Sequence, residues 1–391
     1  MRPFQLDVPE NQLEDLRQRI AATRWSPDVP GIGWERGVPR DYLEKLADYW
    51  RTGYDWRAVE ARLNGIPQYV TEIDGANVHF VHVRSPEPNA KPLIITHGWP
   101  GSFVEFLEVI GPLTDPAAHG GSPDEAFHLV IPAIPGFGFS GPLSESGWTV
   151  PRIAKAWAEL MRRLGYERYG AQGGDFGSVI SLELGRVDPE HVIGVHSNML
   201  AVFPSGDPAE LADLSEQDQA RLGRLAQFDT ENSGYLKLLS TRPQTPAYAL
   251  NDSPVGQLAW IVERFKEWTT PDGVPEDALD RDALLTNVMI YWLTGTAGSS
   301  GHLYYEVLEQ QKLQMSSRAA GLIEGHRELP LTVPVGVAVF PNDCFLPVRR
   351  LADRDIKTIV HWHEFDRGGH FPAMEVPDLY VDEVRTFFHS L

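Results

Sequence analysis

Residues 171–179 read AQGGDFGSV, a stretch that restricts its own backbone tightly. Gly173 and Gly177 stand two positions either side of Asp175. That is the spacing of a sharp strand-to-helix turn, whose small neighbours push the central side chain into the open. The turn demands a strand before it, in RYGAQG, and a helix after it. Such an apex more often carries a serine; here it carries a carboxylate. A glycine-flanked aspartate also serves as an ordinary turn residue or helix N-cap, so the rest of the chain must choose between these roles.

The surrounding pattern supplies the sheet that the turn requires. Residues 1–65 read as helical and aromatic, with Leu13, Leu16 and Ile20 at helical spacing and Tyr42, Leu43, Leu46 and Tyr49 marking a second helix. The Pro/Gly-rich WSPDVPGIGW connects them. In YVTEIDGANVHFVHV the period shortens to two, and Asp74-Gly75 predicts a hairpin turn between two strands. From Pro92 onward the short apolar runs LIITH, FHLVIPAIPGFG, RYGAQGGD and VIGVHSN alternate with helical segments, one of them predicted from Val150 to Leu164. Strands separated by helices imply right-handed crossovers and a mostly parallel sheet with helices on both faces.

After Phe203 the strand signals stop for roughly 125 residues, until VPVGVAVFPND restores one. A helical interval inside an α/β core reads as a cap over the carboxyl edge of the strands. The expected organisation is an N-terminal extension over 1–90 leading into the first strands, a first core part over 91–204, a cap over 205–328 and a second core part over 329–391.

Three residues follow strands in an informative order: Asp175 after RYGAQG, Asp343 ending GVAVFPND, and His370 after TIVHWHEF. Nucleophile, acid and histidine in that order is the arrangement of the α/β-hydrolase fold. His97-Gly98-Trp99-Pro100-Gly101 directly follows PLIIT. In that fold the loop there donates one backbone N–H to an oxyanion hole, and the residue after the nucleophile donates the other. These are Trp99 and Phe176.

The chain resembles the microsomal-type epoxide hydrolases of the α/β-hydrolase superfamily over essentially its whole length. The resemblance is carried by HGWPGSFVEF (97–106), PAIPGFGFS (132–140), QGGDFGS (172–178), ALNDSPVGQLAW (249–260), YWLTGTAGSSGHLYYE (291–306) and RGGHFPAMEVP (367–377). It implies an α/β-hydrolase fold with an N-terminal extension and an inserted cap. It also implies two cap tyrosines, Tyr235 and Tyr304, that grip the epoxide oxygen, so that Trp99, Phe176, Tyr235 and Tyr304 surround the substrate. Tyr305 and Tyr291 are rivals to Tyr304, but adjacent helical residues point about 100° apart, so Tyr304 and Tyr305 do not both face the site. Two departures matter. The membrane-bound members of the family carry an N-terminal anchor not found here, and the triad acid there is often Glu where this chain has Asp343.

A carboxylate at the apex suits this chemistry. An epoxide offers a strained sp3 carbon and no carbonyl, so Asp175 can open it by displacement to give a hydroxyalkyl ester, where a serine would give an ether that water could not cleave. The ester has a carbonyl. His370, oriented by Asp343, can deprotonate a water that attacks it, with an apparent pKa expected in the ordinary imidazole range. Epoxide and water are the only small molecules the reaction needs, with no metal and no organic cofactor. A haloalkane dehalogenase would use the same Asp and His, but Phe176 supplies no side-chain N–H for a halide. A catalytically silent binding module would be expected to lose a triad member.

Composition sets outer bounds. A net charge of −20 argues against nucleic acid or an anionic membrane as the main partner. The single Cys344 excludes an internal disulfide and a thiolate-rich metal site. His361, His363 and Glu364 in HWHEF share the spacing of a ligand pair, though a strand histidine pair without further ligands is usually structural. No signal-peptide core or run of eighteen apolar residues is present, which reads as a cytoplasmic, unanchored protein. A homodimer is allowed but not implied. Trp260, Trp268 and Trp292 in the cap suit an apolar or aryl epoxide, and also plain packing. Secondary-metabolite biosynthesis and detoxification both fit.

Overall fold

The computed structural model describes residues 1–319 and 329–391, so the expected cap boundary at 328 lies outside the described residues. Nine strands form one sheet: β1 (Arg2–Pro3), β2 (Gln68–Ile73), β3 (Ala76–Val83), β4 (Lys91–Thr96), β5 (Phe127–Pro132), β6 (Tyr169–Gly173), β7 (Val192–Ser197), β8 (Val335–Val339) and β9 (Ile359–Glu364). Their order is β1-β2-β3-β5-β4-β6-β7-β8-β9. The pairs from β1 through β3 to β5 are antiparallel, and the pairs from β5 to β9 are parallel. Thr96 lies beside Gly173, and Gly173 beside Ser197. The turn after β6 therefore emerges between the loops that follow β4 and β7, at the edge where the parallel strands end.

The local signals explain most of this. Asp74 and Gly75 take φ of 49° and 79°, the two positive values that a two-residue hairpin matching the strand twist requires. Helix Val150–Arg163 ends one residue short of the predicted limit. On β7, Gly194 approaches Phe387 of the terminal helix Pro377–His389, while Val195 meets Gly185 of helix Phe176–Val187. Neighbouring strand residues point to opposite faces, so these two helices cover opposite sides of the sheet. The two-residue β1 was not expected: too short to show any periodicity, it is defined only by its pairing with β2.

In the N-terminal segment Leu13, Leu16 and Ile20 on helix Glu10–Ala21 and Leu43 and Leu46 on helix Arg40–Thr52 are buried as expected, while Tyr42 and Tyr49 are half-buried. Between β7 and β8 the described residues contain no strand. They form helices that include Glu216–Gln227, Gly234–Thr241, Pro254–Thr269, Arg281–Thr294 and His302–Ala319. The N-terminal segment is tied to these helices by phenols. Tyr42 donates to Glu276 Oε2 at 2.8 Å and Tyr49 to Asp282 Oδ1 at 2.8 Å, and the Tyr54 hydroxyl pairs with Thr286 Oγ1 at 2.9 Å.

Changing Tyr42 and Tyr54 together to Phe removes two of these ties, each worth about 0.5–1.5 kcal/mol. Amide hydrogen exchange over residues 10–64 should accelerate while β4–β8 stays protected. Unchanged exchange in the N-terminal segment would show that the phenols do not clamp it.

Candidate active site

The turn after β6 has the strained geometry that its glycines permit. Asp175 takes φ 52° and ψ −127°, a conformation that costs a non-glycine residue of order 1–3 kcal/mol. The turn survives because its neighbours come close: a Cβ on Gly177 would sit 1.9 Å from the Thr96 carbonyl, and one on Gly98 would sit 2.3 Å from the Asp175 Cβ. The loop after β4 is thereby pressed against the apex. The Trp99 N–H donates to Asp175 Oδ1 at 2.9 Å, and the Phe176 N–H also donates to this carboxylate.

Helix Arg281–Thr294 holds that loop from above. Asn287 Nδ2 donates to the Pro100 carbonyl at 2.7 Å, Ser102 Oγ to Asn287 Oδ1 at 2.7 Å, and the Tyr291 hydroxyl to the Gly101 carbonyl at 2.7 Å. Tyr291 is therefore engaged in fixing the loop, which removes it as a rival to Tyr304.

His370 sits between two carboxylates. Its Nδ1 lies 2.7 Å from Asp343 Oδ1 and its Nε2 lies 3.8 Å from Asp175 Oδ2. Asp343 Oδ1 also accepts the Cys344 N–H at 2.7 Å, and Arg224 of helix Glu216–Gln227 grips the carbonyls of Pro341 and Asp343. Burial works against a charged His370, but the adjacent Asp343, and then Asp175, outweigh it and lift the imidazole pKa to about 9. Burial likewise lifts Asp175 above the usual carboxylate range, opposed by His370 and by the Trp99 and Phe176 amides. The resting site thus holds a buried imidazolium beside Asp343 and Asp175.

The loop carrying His370 is fastened by a residue that sequence reasoning missed. Glu375 accepts the Phe371 N–H at 2.8 Å and the Gly369 N–H as well. The His370 N–H donates to the Trp268 carbonyl at 2.9 Å, and the two rings lie 4.6 Å apart. Trp268 is a packing residue for His370. In sequence Glu375 looks like any helix-start carboxylate; what distinguishes it is the pair of amides, on either side of His370, that it gathers.

The two cap tyrosines converge on the same point. The Tyr235 ring stacks on Trp99 at 5.2 Å, and Tyr304 meets Trp99 edge-on at 5.6 Å and Phe176 at 4.7 Å. Trp99 and Phe176 thus hold Asp175 with their backbones and the tyrosines with their side chains. Burial drives both phenol pKa values well above the usual range, with Asp175 adding to it, so both are O–H donors. The two phenol hydroxyls are buried side by side and interact with each other, with Asp175 close to both. Tyr304 is 7% exposed and Tyr305 36%, which settles which of the pair faces inward.

The HWHEF cluster takes a different form from the one its spacing suggests. Glu364 pairs with Arg221 at 2.7 Å, while His361 and His363 turn to Glu383 of the terminal helix at 2.7 and 2.8 Å. His196 joins at 3.3 Å. Burial would raise Glu383, but hydrogen bonds and charge from these imidazoles hold it near 2. A cavity of about 430 Å³ lined by Pro135, Leu143, Gln244, Asn251 and His302 shares no residue with the triad.

Comparison with known proteins agrees with this geometry. Residues 1–106 match the model of the epoxide hydrolase N terminus, and residues 91–251 match that of the alpha/beta hydrolase fold. The chain is 46% identical to a candidate epoxide hydrolase of Stigmatella aurantiaca, covering 100% of this chain and 85% of that one. It is 35% identical to epoxide hydrolase 1 of Sus scrofa, covering 100% and 89%. Among solved structures, the juvenile hormone epoxide hydrolase of Bombyx mori superposes with a TM-score of 0.89 at 29% identity, covering 100% of this chain and 94% of that one. The Aspergillus niger epoxide hydrolase gives 0.85 at 31% identity, covering 100% and 96%.

An NMR titration of the free protein should find the His370 imidazole losing its proton near pH 9, the value that its two carboxylates produce. Asp343→Asn should lower that value by about one unit or more. Titration of the unaltered protein at the ordinary value of about 6.5 would contradict the flanked-imidazolium arrangement.

Proposed function

The chain belongs to the epoxide hydrolases, and from that premise we propose that it forms a vicinal diol in two steps through an ester on Asp175. The observation that carries this reading is the unequal treatment of the two Asp175 oxygens: Oδ1 is held by the Trp99 amide at 2.9 Å, while Oδ2 stands 3.8 Å from His370 Nε2. Oδ2 attacks an epoxide carbon, the C–O bond of the ring breaks, and the ring oxygen takes the electron pair. Tyr235 and Tyr304 donate hydrogen bonds to that oxygen as charge grows on it, and one of the phenols passes it a proton.

Esterification then changes the base. The ester carries no charge, so His370 loses one of the two carboxylates that raise its pKa. It gives up its proton, which restores the phenol that protonated the ring oxygen, and can then accept one from water. Water attacks Asp175 Cγ, and the negative charge appears on Oδ1, which the Trp99 amide already holds, with the Phe176 amide donating to the same carboxyl group. Collapse breaks the ester bond, and the proton held by His370 passes to the departing diol oxygen. Asp175 keeps one oxygen of the water, and the remaining water hydrogen passes to His370, which restores the carboxylate and the imidazolium.

The aromatic surround of Trp99, Phe176, Tyr235 and Tyr304 supports an apolar or aryl epoxide as substrate, covered by a cap formed from the helices between β7 and β8.

Replacing His370 by Gln should leave alkylation intact and stall hydrolysis, so the intact mass should rise by that of the epoxide. In one turnover of the unaltered enzyme in oxygen-18 water the diol should carry unlabelled oxygen; label in that first diol rejects the ester. Tyr235→Phe and Tyr304→Phe should each slow alkylation by about 10- to 1000-fold and ester hydrolysis far less. Alkylation unaffected by either change would remove the tyrosines from the acid role.

A further inference from the structure

Ester hydrolysis needs a water held on one face of Asp175 Cγ, with one hydrogen toward His370 and a lone pair toward carbon. Beside the nucleophile lies a cavity of about 10 Å³, room for about one water molecule. It is lined by Gly98, Glu105, Gly174, Asp175, Asn198 and His370, among others.

Glu105 is the member that the mechanism has not used. It is buried, its Oε1 makes no hydrogen bond, and the Ser102 N–H is the donor that engages its carboxyl. That contact accounts for a glutamate three residues into the turn that starts at Ser102. It does not account for the second oxygen. Room for that oxygen is made by Gly101, where a Cβ would lie 1.4 Å from Oε1. Burial of an unpaired carboxyl oxygen is costly unless something polar occupies the space it faces.

Asn198, on the same cavity, has a defined orientation. The Tyr380 hydroxyl donates to Gln172 Oε1 at 2.6 Å, and Gln172 Nε2 donates to Asn198 Oδ1 at 2.8 Å. Nδ2 is left against Gly174, where only a missing side chain gives it space: a Cβ there would lie 2.4 Å away.

We propose that this cavity is the berth of the hydrolytic water and that Glu105 is a positioning residue for the second step. The water donates one hydrogen to His370 Nε2 and the other to Glu105 Oε1, accepts from Asn198 Nδ2, and keeps one lone pair for Asp175 Cγ. Attack forms the new O–C bond and moves the first proton to His370; the second hydrogen stays with the water oxygen and Glu105 keeps its protonation state. Burial lifts Glu105 to about 8, so near neutral pH it is mostly uncharged. It can then accept a hydrogen bond without placing another full negative charge beside the developing oxyanion.

The proposal rests on the ester mechanism, and its test separates the two. Glu105→Leu keeps the volume and removes the acceptor; Glu105→Gln restores an acceptor. In single-turnover quenching with styrene oxide, the Leu variant should alkylate within about twofold of the unaltered rate and hydrolyse its ester at least about tenfold more slowly, with Gln returning hydrolysis to within about threefold. A purely structural role would slow both steps together, because the Trp99 amide that holds Asp175 lies on the same loop. Equal slowing of both steps, or an ester that decays at the unaltered rate, overturns the proposal. An ester that forms in no variant, His370→Gln included, brings down the two-step reading and this proposal with it. Should Glu105→Leu fail to fold, a crystal structure of the unaltered protein decides. Density for a water within hydrogen-bond distance of both Glu105 Oε1 and His370 Nε2 supports the berth, and an empty cavity or a water touching only one of them overturns it.

Discussion

The site depends on the close approach of the loop after β4 to the turn after β6. Gly98 and Gly177 remove the atoms that would keep the two segments apart, and the Trp99 amide reaches Asp175 Oδ1 as a result. That single hydrogen bond orients the carboxylate, leaves its second oxygen available and, in the proposed mechanism, sets in advance the point where charge gathers. Helix Arg281–Thr294 then locks the loop through Asn287 and Tyr291. The helices between β7 and β8 and the loop that orients Asp175 are in this way mechanically one unit.

Charge organises the rest. A buried imidazole between Asp343 and Asp175 is held as a cation, and the resting protein has no free base at the site. In the proposed mechanism, consuming the charge of Asp175 is what releases the base, so the order of the two steps follows from electrostatics and needs no conformational switch. The loop around His370 must be rigid for this to work. Glu375 and the Trp268 carbonyl provide that rigidity through backbone bonds on either side of the ring and at it.

The N-terminal segment has a physical role that its helices alone do not reveal. Its tyrosines reach Glu276, Asp282 and Thr286, among the helices between β7 and β8 that carry Trp268 and Tyr291. A segment far from Asp175 in the sequence thus steadies the helices that pack against the site.

The sequence by itself determined the sheet and its most constrained turn. Period-two and apolar runs, the Asp74-Gly75 hairpin and the glycines around Asp175 are local signals, and local sterics enforce them wherever the chain goes. The chain order of Asp175, Asp343 and His370 was legible for the same reason, since each follows a strand. Tertiary structure alone decided the partners. Glu383, not Glu364, meets His361 and His363, because only the docking of the terminal helix on the sheet brings it there. Tyr304, and not Tyr305, turns inward because helix His302–Ala319 packs with that face toward Trp99. Glu105 and Glu375 look like solvated helix-start carboxylates in a string of residues; burial of the first and the amides gathered by the second single them out, and both are properties of the whole packed chain. The same holds for the His370 pKa, which is set by two carboxylates distant in sequence that meet only when the sheet forms.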